Sequence, residues 1–127
     1  MSPRCLSRIA FASLCLVLVL TPVTYCADLK QAMVLNKQGE GLLENGRYPQ
    51  ALQVFKNMLD ACTDHDYCRG VALFYLGRTN VESAQFDVAG QFLDSAEMIF
   101  DSLDKSNEKA MVTLNKGKLC IGKGDYK

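Results

Sequence analysis

The 127-residue chain contains no tryptophan, a single histidine and no net charge at neutral pH. One histidine leaves few ways to build a histidine-based catalytic or metal site. The balanced charge argues against a general electrostatic affinity for nucleic acid, and the length is too short for an α/β enzyme with a second domain. With 49% hydrophobic and 22% charged residues, the composition is that of a folded domain and not of a disordered segment.

Recognisable catalytic motifs are also missing. The chain has no G-x-S-x-G, no G-x-x-x-x-G-K-[ST] and no H-E-x-x-H, which are the spacings of a serine nucleophile, a phosphate loop and a zinc protease. Gly122-Lys123-Gly124 lacks the loop of a phosphate site and is interpreted as a helix stop. We therefore predict that the chain is not an enzyme and binds neither a cofactor nor a metal.

The first residues have the order of a secretory signal peptide. Arg4 and Arg8 precede an uncharged apolar run over residues 9–20. That run is 12 residues long, whereas a membrane-spanning helix needs about 20. We predict a signal peptide over residues 1–26 and a mature domain over residues 27–127, with no membrane span after cleavage.

This leader predicts export to the periplasm or secretion. None of the asparagines in the sequence begins an N-x-[ST] glycosylation site, and a bacterial envelope is favoured. The alternative is acylation of Cys26, which would make the protein a membrane-tethered lipoprotein assembly factor. Without the leader, 12 basic and 14 acidic residues remain.

One pattern of small and aromatic residues occurs three times in the mature chain. A small residue is followed seven positions later by a second one, and two positions after that by an aromatic residue. The copies are Gly39, Gly46 and Tyr48, then Gly77, Ala84 and Phe86, then Gly117, Gly124 and Tyr126. They begin 38 and 40 residues apart, a period typical of stacked helical repeats.

The second copy carries the fullest pattern. Leu76-Gly77 is followed by Ala84, Phe86, Ala89, Leu93 and Ala96. This order resembles the tetratricopeptide repeat (TPR) family, and the resemblance extends over residues 32–127. The period exceeds the family's usual 34 residues, and the large aromatic near the start and the closing proline are missing. The resemblance implies an all-α fold, a right-handed superhelical stack of antiparallel helix pairs with about two and a half repeats.

The predicted units cover about residues 32–65, 70–104 and 110–127, and the last is cut short. Helices are predicted over 29–44 and 107–122, among others, and the repeated Gly39, Gly77 and Gly117 are expected where a neighbouring helix crosses closely. The final helix is apolar for a terminal repeat, which normally has a polar outer face. We therefore expect the sequence to be the N-terminal portion of a longer protein.

Cys62 and Cys68 flank a short loop that also contains His65. In an exported chain a Cys62–Cys68 disulfide is favoured, with free thiols and a metal site as alternatives that the spacing leaves open. Cys120, on the final helix, is expected to be a small buried hydrophobic residue.

Charges of opposite sign occupy different parts of the chain. Residues 60–104 hold nine acidic and two basic side chains, whereas residues 105–127 hold six lysines and two acids. These blocks are interpreted either as two solvated faces or as a polarised surface that orients a partner.

The TPR resemblance implies a groove, lined by the first helix of each repeat, that binds a peptide or protein segment. Carried onto this chain, the groove positions include Asn36, Glu40, Phe74, Arg78, Glu82, Leu114 and Lys118. An acid at position 40 would repel a terminal carboxylate, and that ligand is not expected. The predicted function is a non-catalytic protein–protein interaction scaffold. The alternative is an exported region that positions a C-terminal catalytic domain outside this sequence.

Overall fold

The computed structural model describes residues 28–124. In this range the chain is all-helical, with five helices and no strand. The helices are α1 (residues 28–44), α2 (Tyr48–Ala61), α3 (Asp66–Glu82), α4 (Phe86–Ser102) and α5 (Ser106–Lys123). The predicted signal peptide, its alternative at Cys26, and Tyr126 of the third repeat lie outside the described residues.

The second small residue of each repeat ends a helix in the left-handed backbone conformation. The φ angles of Gly46, Ala84 and Gly124 are 71°, 61° and 79°. After Ala84, the Gln85 N–H donates to the Asn80 carbonyl at 2.8 Å. This hydrogen bond closes a six-residue turn and defines a Schellman motif. The repeat pattern therefore reports where α1, α3 and α5 stop, because a left-handed residue favours a small side chain.

Ala84 is strained by this conformation, and Ala84→Gly is expected to stabilise the fold. An L-residue in the left-handed region costs about 1–2 kcal/mol, while glycine loses about 0.4–1 kcal/mol more chain entropy on folding. We expect the free energy of unfolding to rise by about 0.5–1 kcal/mol, measured by urea titration. The control is Ala110→Gly, exposed inside α5, which should lose about 1 kcal/mol. An equal decrease in the free energy of unfolding of both variants would contradict the strain at Ala84.

Glycines on α3 allow α4 to approach closely. A Cβ atom on Gly77 would lie 2.7 Å from Leu93 Cγ, and one on Gly70 would lie 2.8 Å from a ring carbon of Phe100. Seven residues forward on α3 thus correspond to seven residues backward on α4, which shows that the two helices are antiparallel.

The expectation of close crossings is confirmed at two of the three repeat glycines. Gly39 on α1 faces the Phe55 ring of α2, where an added Cβ would meet ring carbons at 2.5 and 2.6 Å. At Gly117 the expectation is wrong, because no atom of a neighbouring element lies within 4 Å of the Cβ position. The side of α5 that carries Gly117 is open in the described structure.

The core is divided into two clusters that share α3. Phe55, Cys62 and Leu76 lie in the cluster formed by α1, α2 and α3, while Phe100 and Val112 lie in the cluster formed by α3, α4 and α5. α3 contacts α2, α4 and α5 and is therefore the central helix. No helix in the described range is long and apolar enough to cross a membrane.

Candidate functional site

The first helices of the successive pairs form one surface, here called the α1–α3–α5 face. Two phenol–carboxylate hydrogen bonds join these helices. The Tyr75 hydroxyl of α3 donates to Glu40 of α1, and the Tyr67 hydroxyl of α3 donates to Glu108 of α5 at 2.9 Å. The face is therefore held by contacts between residues 35 and 41 positions apart in sequence.

The electrostatics of both bonds keep the two phenols protonated. Burial, followed by the hydrogen bond to Glu40, raises the pKa of Tyr75 well above its usual range. The hydrogen bond to Glu108, followed by burial, raises the pKa of Tyr67. Both tyrosines thus remain hydrogen-bond donors throughout the neutral range.

Two adjacent cavities open on this face. One, here called the methionine chamber, has a volume of about 440 Å³ and is lined by Met33, Met58 and Val71, among others. The other, here called the aromatic chamber, has a volume of about 220 Å³ and lies between Tyr67, Phe74, Tyr75 and Phe100. Their shared lining residues are Asn36, Tyr67 and Val71. The chambers are therefore adjacent parts of one groove.

Asn36 stands between the two chambers with an unpaired amide oxygen. Its Oδ1 atom is buried and has no hydrogen-bond partner. A buried acceptor without a partner costs about 1–3 kcal/mol, and such groups are few in folded proteins. Of the sequence-predicted positions, Asn36 is thus the one with a buried side-chain acceptor that no described residue satisfies.

Glu40 and Phe74 have structural contacts of their own. Glu40 accepts from Tyr75, as described above. The Phe74 side chain is only 4% exposed and belongs to the α3–α4–α5 cluster, although it also lines the aromatic chamber. Removing Phe74 would therefore combine a binding effect with the loss of about 3–5 kcal/mol typical of a buried aromatic residue.

The predicted polar positions farther along the helices lie between α3 and α5. Glu82 of α3 and Lys118 of α5 form an ion pair with an N–O distance of 3.5 Å. Arg78, one turn before Glu82, is half-buried and lies close enough to lower the pKa of Tyr75 in opposition to the nearby carboxylates. This end of the face therefore carries charges of both signs.

Leu114 lies elsewhere. The buried residues of α5 are Val112, Asn115 and Leu119, whereas Leu114 and Ile121 are 64% and 67% exposed. Helical spacing places those two with the open Gly117 on the side of α5 that points away from the core. Leu114 therefore lines neither of the two chambers.

Tyr67 and Glu108 belong to the site although no predicted groove position includes them. α3 begins at Asp66 and α5 at Ser106, each four residues before the predicted start of its repeat. Both residues therefore stood outside the units from which the groove was drawn. A signal was present for Tyr67. It lies four residues before Val71 and hence on the same helix face, and Val71 lines both chambers.

The opposite charge blocks pair with each other along the α4–α5 interface. Lys116 lies 2.7 Å from Asp94 and also contacts Glu97. Two further pairs of the same ladder are Lys109 with Asp101 and Lys123 with Asp87. The blocks therefore neutralise each other within the chain, and the interpretation as a polarised partner surface is not supported for these residues.

A disulfide joins Cys62 to Cys68, as favoured from sequence. It connects the end of α2 to the first turn of α3, and the thiols are consequently not available to a metal. His65, in the loop between the two cysteines, caps α3, where its Nδ1 accepts from the Cys68 N–H at 3.5 Å. In residues 28–124 no cluster of three histidine, cysteine or acidic side chains could hold a metal ion.

The expectation for Cys120 is wrong, because its side chain is exposed and its thiol is free. Leu119, its neighbour, occupies the buried position instead. Cys120 is rotated from Leu119 by one helical step of about 100°, which places it at an exposed position among the described residues.

Comparisons with known proteins add no relative. No protein-family model, no curated protein and no solved structure matches this chain.

Proposed function

We propose that this protein is an exported, non-catalytic interaction scaffold that binds a segment of a partner protein on the α1–α3–α5 face. The observation that carries the proposal is the pair of adjacent chambers on that face, with the unpaired amide oxygen of Asn36 between them. Protein segments bind by placing a few side chains into such pockets while their polar groups meet fixed partners.

We further propose that the helix pairs form a TPR-like right-handed superhelix. Support comes from the recurrence of one turn at Gly46, Ala84 and Gly124, and from the glycine contacts at Gly39 and Gly77, which occupy equivalent places in the first two pairs. The disulfide is compatible with the proposed export, because disulfides persist in oxidising compartments.

The chemistry of the chamber walls suits an adaptable binding surface. Met33 is 68% exposed and Met111 is 46% exposed, and each lines one of the chambers. Methionine is flexible and polarizable, and it is common on surfaces that accept varied partners. Substituting these two side chains changes the face without opening the core.

The test is affinity capture from an envelope extract with the double variant Met33→Gln and Met111→Gln. Complete burial of an exposed methionine under the partner contributes about 1.5–3 kcal/mol to the binding free energy. Because the variant replaces two of them, we expect at least a tenfold loss of affinity for partners held on this face. Captured proteins are identified by mass spectrometry, and their dissociation constants are then measured by biolayer interferometry.

A matched control uses two apolar residues of similar exposure on α4. Val88 is 44% and Met98 is 74% exposed, and the variant Val88→Gln with Met98→Gln should retain the partners. Loss of the same proteins from both variants, or from neither, would contradict binding at the α1–α3–α5 face. Circular dichroism checks that both variants keep the helical content of the native chain.

A further inference from the structure

The aromatic chamber combines one negative charge with one unpaired amide oxygen. Of the described residues that line it, Glu108 alone carries a charge, and its carboxylate accepts from Tyr67. Glu40 adds a second carboxylate behind Tyr75. With Asn36 at the junction, this chamber offers acceptor oxygens to a bound group.

The size of the aromatic chamber limits what it can hold. Its volume of about 220 Å³ falls below the range of about 300–1,000 Å³ that is usual for small-molecule sites. One long side chain fits such a space better than a free ligand. The Asn36 Oδ1 atom is buried where the two chambers meet, so a side chain that enters the aromatic chamber approaches it while the main chain of the segment stays at the rim.

A cation is already held next to this chamber by the protein itself. The Lys105 ammonium lies 5.5 Å from the centroid of the Tyr67 ring, within the range of a cation–π contact. Phenol rings, carboxylates and an amide oxygen all favour an ammonium or guanidinium group over a neutral or acidic one.

Resting on the proposed function, we infer that the partner segment inserts a lysine or arginine side chain into the aromatic chamber and an adjacent apolar side chain into the methionine chamber. The charged head meets Glu108 and Asn36, and its methylene stem packs on Val71 and Met111, both of which line the chamber. The face thereby selects segments in which a basic residue neighbours an apolar one.

The experiment selects phage-displayed random decapeptides on the full chain with its disulfide intact. Selected peptides are expected to carry lysine or arginine beside an apolar residue. Replacing that basic residue by norleucine should weaken binding at least tenfold in fluorescence anisotropy, which corresponds to about 1.4 kcal/mol. The same replacement should change the affinity less than threefold, or roughly 0.6 kcal/mol, for the Glu108→Gln variant.

The variants separate charge from structure. Glu108→Gln removes the charge but keeps an oxygen that accepts from Tyr67, and Asp60→Asn removes one charge from exposed residue 60 on α2 as the control. The Asp60→Asn control should keep the tenfold preference for the basic residue over norleucine, whereas Asn36→Leu should reduce that preference. Selected peptides without a basic residue, or a preference that survives Glu108→Gln, would overturn the inference.

Failure of the proposed function itself gives a different result. In that case no peptide binds above background, or the selected peptides bind equally well to the Met33→Gln and Met111→Gln double variant. Peptides that lose affinity for this double variant but show no basic preference leave the groove in place and refute only the inference about its ligand.

Discussion

Replacing Gly77 by leucine is expected to lower the free energy of unfolding by about 3 kcal/mol, the upper end of the range for overpacked cores. Even a single Cβ at this position would lie 2.7 Å from Leu93 Cγ and 3.3 Å from the Leu93 backbone nitrogen. Leu93 is itself fully buried, so a leucine at position 77 must displace a side chain within the core. Thermal unfolding by circular dichroism should show a decrease of about 15 °C in the midpoint.

Gly117→Leu is the matched control for this prediction. Gly117 occupies the equivalent repeat position on α5 but has no neighbouring atom within 4 Å of its Cβ position. Leucine has a higher helix propensity than glycine by somewhat less than about 1 kcal/mol, and the midpoint should stay the same or rise. An unchanged midpoint for Gly77→Leu would show that α3 and α4 do not cross as closely as described.

The contrast between these glycines shows what a repeat pattern in sequence can establish. The second small residue of the pattern, at Gly46, Ala84 and Gly124, coincides with a helix end because the left-handed turn favours a small residue at that point. Asp104 ends α4 in the same conformation, with φ of 54°, but aspartate also tolerates the left-handed region. In residues 28–124 the pattern therefore coincides with three of the four left-handed turns, and the fourth is made by a polar residue.

Charge counting along the chain could not establish how the charged residues are arranged. The acidic and lysine-rich blocks suggested separate surfaces, yet they face each other because α4 and α5 are antiparallel. The spacing of seven residues among Lys109, Lys116 and Lys123 was visible in the sequence, but it indicates a ladder only when the facing helix is known. Exposed ion pairs of this kind contribute about 0–1 kcal/mol each, and their main consequence is that few of these charges are left for a partner.

The candidate site was likewise only partly predictable. Asn36 and Glu40 were identified through the groove positions of the TPR resemblance. Their setting depends on Tyr67, Tyr75 and Glu108, which reach the face through tertiary contacts across 35 to 41 residues. No local pattern encodes such pairings, because they follow from how α1, α3 and α5 lie beside one another.

Removing the disulfide with the double variant Cys62→Ala and Cys68→Ala is expected to cost about 3 kcal/mol in total. The bridge closes a loop with a sequence separation of 6, for which the chain-entropy account gives about 2 kcal/mol. Both residues are also buried, at 2% and 6% exposure, so the truncation leaves small voids in the first core cluster. The thermal midpoint should fall by about 15 °C.

Two comparisons decide whether that loss comes from the bridge. Cys120→Ala removes an exposed free thiol and should leave the midpoint unchanged, whereas chemical reduction of the native chain should reproduce most of the decrease. Because Cys68 lies in the first turn of α3, amide hydrogen exchange should increase first in that turn, which also carries Tyr67. If the double variant has the same thermal midpoint as the native protein, packing alone holds α2 against α3. In that case the bridge does not position this end of the α1–α3–α5 face.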